Sequence, residues 1–94
     1  MNPVRDDKSW YTYVPRSLKD GETYTGSAND LWKRFKQHSD GQTRSTKGRR
    51  PLELIYYEMC KDGEDTRSRE LFLKSGMGKR YIKNRLKRFL SLTG

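Results

Sequence analysis

The chain is expected to fold as an α+β domain: a small three-stranded antiparallel sheet flanked by about three helices. Three observations predict this. Two β-rich runs, residues 10–16 and 22–26, lie on either side of an Asp-Gly turn. A third such run, 52–59, follows a basic loop, and the remaining stretches repeat apolar residues at helical spacing. With 94 residues, 31% hydrophobic and 35% charged, one modest core is all the chain can bury, so residues 1–94 are read as a single domain.

Residues 10–16 alternate and are rich in aromatic and β-branched types, which favours a strand. Ser17-Leu18-Lys19-Asp20-Gly21 is a turn, since Asp-Gly supplies the positive φ a hairpin loop wants. The chain then returns as a second strand over 22–26. Ser27 or Asn29 is placed to cap a helix over 29–38, accepting bonds from its free first-turn amides. Leu31, Phe35 and His38 recur at i, i+4 and i+7 and give that helix an inner face. Ser39-Asp40-Gly41 ends it, and 41–51, polar and basic with Gly41, Gly48 and Pro51, reads as a mobile loop. Residues 52–59 make the strongest strand, predicted to be central. After an Asp62-Gly63 turn, 66–74 reads as a helix stopped near Ser75-Gly76. A last helix over 79–92 turns Ile82, Leu86, Phe89 and Leu90 to the core and its Lys/Arg side to solvent or a ligand.

No run approaches the roughly 18 apolar residues of a membrane span. The polar start, Met1 to Ser9, offers no signal-peptide core, so a cytoplasmic protein is expected. Cys60 is the only cysteine and His38 the only histidine, which excludes an internal disulfide and a four-ligand zinc site. Any metal must be held mainly by oxygen and water. Cys60 itself reads as a small half-buried hydrophobe.

The net charge of +9 is uneven. Arg44, Lys47, Arg49 and Arg50 crowd one loop that contains no acid, and no acid follows Glu70, whereas Lys74, Lys79, Arg80, Lys83, Arg85, Lys87 and Arg88 do. Such clustering makes a field suited to a polyanion, nucleic acid first among them.

Several residues could carry chemistry. Tyr13 and Tyr24 stand on consecutive strands; two tyrosines in a hairpin are ordinarily a packing pair. Arg34 and His38 share one helical side a turn apart, and an arginine's planar fork suits phosphate oxygens. Glu70, flanked by Arg67, Arg69 and Lys74, reads either as a salt-bridged surface acid or as a carboxylate for a Mg²⁺-type ion.

Taken together, these segments resemble the GIY-YIG endonuclease domain in its small single-domain bacterial form, related to the nuclease half of the UvrC excision-repair subunit. Tyr11-Thr12-Tyr13 occupies the GIY half, and Tyr24-Thr25-Gly26 matches the YIG half at its first and third positions. Asn29-Asp30-Leu31, Lys33-Arg34 and Gln37-His38 are similar to the family's arginine helix. Residues 45–51 before Leu54-Ile55-Tyr56-Tyr57-Glu58 are typical of the small group, and Arg69-Glu70 with Leu73-Lys74 resembles the helix bearing the metal glutamate. The resemblance spans 10 to about 83.

It implies hydrolysis of DNA phosphodiester bonds with a single Mg²⁺ or Mn²⁺ ion on Glu70. Arg34 would stabilise the phosphate, Tyr13 and Tyr24 would position or deprotonate water, and His38 would bond a tyrosine or the phosphate. Lys33, Arg44, Lys47, Arg49, Arg50, Lys79 and Lys83 are the expected nucleic-acid contacts. These are backbone contacts, which implies selectivity for DNA structure, such as branched or nicked forms, over sequence, in repair or processing and with a protein partner for targeting. The alternatives are a non-cleaving nucleic-acid-binding module of the same fold and a partner-dependent regulatory domain.

Overall fold

The computed structural model describes residues 9–93, so residues 1–8 of the polar start weighed against a signal peptide lie outside it. Strands β1 (Trp10–Ser17), β2 (Gly26–Ala28) and β3 (Leu52–Cys60) form one antiparallel sheet in the order β2-β1-β3. The expected α+β architecture is thus present, but β1, not β3, is the central strand. The reason is burial. Thr12, Tyr13, Val14 and Pro15 are all buried, because β1 is paired on both edges and covered on both faces. β3 is more apolar in sequence, yet it lies at the rim and leaves Tyr57 and Met59 about half exposed.

The second strand also departs from expectation. Continuous pairing covers only Gly26–Ala28 rather than 22–26; Thr23 forms an isolated bridge to Arg16. Tyr13 pairs with Gly26, and the same register puts Tyr24 opposite Pro15, whose carbonyl accepts from the Tyr24 amide at 2.9 Å. Tyr24 therefore falls on the Tyr13 side of the hairpin.

Helix α1 (Leu31–Ser39) is capped by Asp30, whose side chain accepts from the Lys33 amide at 3.2 Å, rather than by Ser27 or Asn29. Ser27 is held inside β2, and a helix that starts at Leu31 puts Asp30, not Asn29, at its N-cap position. Helix α2 (Gly63–Lys74) begins three residues earlier than its apolar pattern suggests. Asp62 accepts from the Asp65 amide at 2.9 Å, and Glu64 and Asp65 complement the positive end of the helix. The expected single last helix is two, α3 (Gly76–Arg85) and α4 (Lys87–Thr93), broken at Leu86, whose backbone leaves the helical region.

Alternation along β1 decides what each face meets. Thr12 and Val14 point to α2: the Thr12 hydroxyl donates to the Thr66 carbonyl at 3.4 Å, and Val14 joins Leu73 and Ile82 in the core, with Ile55, Tyr56, Phe72 and Leu86 packed around them. Tyr13 points to α1. The α2–α3 crossing is close: a Cβ at Gly78 would collide with the Phe72 carbonyl oxygen. A polar bracket links β3 to the same helices. Tyr56 Oη donates to Glu58 at 2.8 Å, Arg69 Nε donates to it at 2.9 Å, and the Arg69 guanidinium lies 4.8 Å from the centre of the Tyr81 ring.

The segment 41–51, read as a mobile loop, is tied down. It carries a 3-10 turn, Lys47–Arg49, and Ser17 Oγ donates to the Arg49 carbonyl at 2.7 Å. The Leu18 amide donates to Pro51 O at 2.8 Å, and Arg49 pairs with Asp20 at 3.0 Å.

Candidate active site

The end of the β1–β2 hairpin opens into a cleft of about 390 Å³ whose walls include Tyr13, Tyr24, Gly26, His38, Ser45, Lys74 and Lys79. Two tyrosines and a histidine chosen on sequence grounds are thus brought together. α1 and the 41–51 segment form one side, α2 and α3 the other.

Tyr13 is 1% exposed and passes over Gly26: a Cβ there would stand 2.6 Å from the Tyr13 hydroxyl, so only glycine fits. Beyond Gly26 the phenol meets His38 Nε2 at 3.0 Å, and His38 Nδ1 meets Thr46 Oγ1 at 2.7 Å. Tyr13, His38 and Thr46 form a buried chain of three polar groups. Burial, and then the nearby Arg34 charge, lowers the His38 pKa below its ordinary value, so the ring is neutral at pH 7. A neutral imidazole donates from one nitrogen and accepts at the other. The chain can therefore run either way, with Thr46 donating at one end or Tyr13 at the other. Burial raises the Tyr13 pKa, and hydrogen bonding and charge from Arg34 only partly offset it, so Tyr13 is a neutral phenol. Arg34 is exposed on α1 and donates to Gln37 Oε1 at 2.9 Å.

Glu70 sits on the α2 side, 7% exposed. Ser27 Oγ donates to its Oε1 at 2.8 Å, Lys74 Nζ lies 3.0 Å from Oε2, and Arg67 stands 3.8 Å from Oε1. Burial alone would raise its pKa, but the bonds from Lys74 and Ser27, with the charges of Lys74 and Arg67, outweigh it and hold the carboxyl below its usual value. Glu70 is ionised and turned toward positive charge. Among the described residues no group of three or more His, Cys, Asp or Glu gathers. A divalent ion would rest on this one carboxylate plus water and substrate oxygens. That donor set fits a hard ion such as Mg²⁺ or Mn²⁺, which keeps several waters, and does not fit zinc.

The predicted nucleic-acid contacts divide. Lys79 lines the cleft and, with Lys83 and Arg16, an adjoining groove of about 370 Å³. Lys33 lies beside Arg34 in a separate depression on α1. Arg44 and Lys47 are exposed on the 41–51 segment, whereas Arg49 is spent on Asp20, and Arg50 donates to the Lys47 carbonyl at 3.1 Å and lies over Gly41. Sequence reasoning missed Thr46, Ser27 and Arg16. The first two act across 8 and 43 positions, through contacts that no local pattern announces; only the Glu70–Lys74 spacing of i, i+4 was legible.

The model of the family described as GIY-YIG catalytic domain matches residues 9–85. A UPF0213 protein of Clostridium perfringens is 38% identical over 65 residues, covering 68% of this chain and 69% of that protein. The UPF0213 protein YazA of Bacillus subtilis is 42% identical over 65 residues, covering 68% and 65%. The solution NMR structure of a UPF0213 protein from Bacillus halodurans is similar with a TM-score of 0.51 and 29% identity, over 81% of this chain and 83% of that one.

Proposed function

Because this chain belongs to the GIY-YIG catalytic-domain family, a family of nuclease domains, we propose that it is a divalent-metal-dependent endonuclease acting on DNA phosphodiester bonds. The observation that carries the reading is the cleft where Tyr13, Tyr24 and His38 converge between an arginine helix and the helix of Glu70. Glu70, with Ser27 holding one of its oxygens, is the residue to bind Mg²⁺ or Mn²⁺. Such an ion, when bound, neutralises a phosphate oxygen and steadies the leaving 3′ oxygen.

The other roles follow from each residue's environment. Arg34, exposed on α1 with a planar guanidinium fork, takes the remaining phosphate oxygens, a contribution of about a few kcal/mol. Tyr13 is a neutral phenol fixed by His38, so it is a poor base and serves to hydrogen-bond the water or phosphate. That leaves Tyr24, a partly exposed wall of the cleft, to orient or deprotonate the attacking water. His38 sets the Tyr13 hydroxyl, and Thr46 sets His38. Lys79 and Lys83 hold the flanking backbone, with Lys33, Arg44 and Lys47 in support and a smaller share from Arg49 and Arg50, which are tied to Asp20 and the Lys47 carbonyl. Backbone contacts carry no base readout, so selectivity is for DNA structure, in a repair or processing role in the cytoplasm with a partner protein for targeting.

Cleavage of labelled duplex, flap, fork, nicked and single-stranded DNA, with Mg²⁺, Mn²⁺ or EDTA, tests this. Wild type is expected to cut only with metal, and Glu70→Ala and Arg34→Ala to lose at least about 100-fold, the scale of one lost transition-state donor. DNA binding without any metal-dependent product on the whole panel would instead support the non-cleaving module.

A further inference from the structure

We propose that Lys74 occupies, in the metal-free protein, the place at Glu70 that a divalent cation takes, and that metal binding releases the Lys74 ammonium into the cleft. This rests on the reading of Glu70 as the metal carboxylate. The two oxygens of Glu70 are held differently. Oε1 accepts from Ser27, a residue of the paired strand β2, at 2.8 Å, with Arg67 at 3.8 Å. Among the described residues, the partner that Oε2 meets is the Lys74 Nζ, at 3.0 Å, and that side chain is half exposed on a flexible four-carbon stem. One oxygen is fixed by the sheet; the other is exchangeable.

A carboxylate this buried is costly to leave without a countercharge. Lys74 supplies one, so the site can be assembled and ionised before any metal arrives. Ordinary i, i+4 ion pairs lie on a helix's outer surface with both partners in water; here the acid is buried and the lysine lines the cleft that also holds Tyr13, Tyr24 and His38. An ammonium and a divalent ion repel at this range and compete for the same oxygen. When the ion takes Oε2, the lysine turns to the open side, where a substrate phosphate would meet it. Lys74 is thus a built-in competitor for the metal and a mobile cation of the cleft.

Mn²⁺ binding to the free protein, followed by electron paramagnetic resonance, tests the competition without any cleavage. Lys74→Met is expected to bind Mn²⁺ at least about fivefold more tightly than wild type, since an exposed pair corresponds to no more than that and this acid is buried. In wild type, the side-chain ammonium NMR signal of Lys74 is expected to move as Mg²⁺ saturates. Unchanged or weaker Mn²⁺ affinity in Lys74→Met, or a Lys74 signal unmoved at saturation, overturns the proposal. If Glu70→Gln binds Mn²⁺ as wild type does, the metal assignment of Glu70 falls and this inference falls with it. If Glu70→Gln abolishes binding while Lys74→Met is indistinguishable from wild type, only the role of the lysine is wrong.

Discussion

Gly26 shows how one residue's lack of a side chain organises the cleft. Tyr13 reaches His38 only by crossing that α-carbon, so Gly26→Ala should cost about 1–3 kcal/mol through overpacking, read as a lower denaturant midpoint. The buried chain beyond it has a pH signature. The His38 pKa is lowered in the folded protein, so the unfolded chain binds more protons between the folded value and about 6.5. Stability from this group is complete above pH 6.5 and declines as the pH falls below it. His38→Gln should flatten the stability profile between pH 6.5 and 5.5, measured by urea unfolding at each pH. Tyr13, Tyr24, Arg34 and Glu70 were open to proposal from sequence because the short segments that carry them stand together in the order and spacing of the GIY-YIG domain. Thr46 was not, since its only signal is the empty Nδ1 of a histidine eight residues away across an irregular turn.

At the scale of elements, the sequence pattern marks three strands and the helices between them but misjudges limits, number and rank: the second strand, expected over 22–26, pairs over Gly26–Ala28, and the single last helix is two. Ile82, Leu86 and Phe89 continue one helical stripe through the break, so the division of the last helix into α3 and α4 leaves no mark in the pattern. Its apolar content marks β3 as the expected central strand; the centre belongs instead to β1, whose Thr12 and Ser17 find polar partners in the interior. The α2–α3 contact has a sharp test. Gly78→Ala puts a methyl group into the backbone of α2, and the helices must separate, at an expected cost of about 2–3 kcal/mol. Removing the β3 anchor with Glu58→Ala leaves Arg69 and Tyr56 without their acceptor. It should cost about 2 kcal/mol, seen as a drop in melting temperature with the cleft residues untouched.

For the whole molecule, the excess of basic residues makes a polyanion the expected partner, but composition does not say which cations are free. Lys79 and Lys83 face open grooves, and Arg49 is already committed to Asp20. In DNA binding measured against salt in EDTA, Lys79→Ala should reduce the log–log slope by about one and Arg49→Ala by clearly less. The rim position of β3 carries another consequence. Among the described residues no strand pairs with its outer edge, which runs for nine residues past half-exposed Tyr57 and Met59. Such an edge is a template for a second copy, and a net charge of +9 opposes the approach of one. Added salt screens that repulsion. The same ionic strength that strips the protein from a phosphate backbone should therefore promote its self-association, visible as a rise in light scattering.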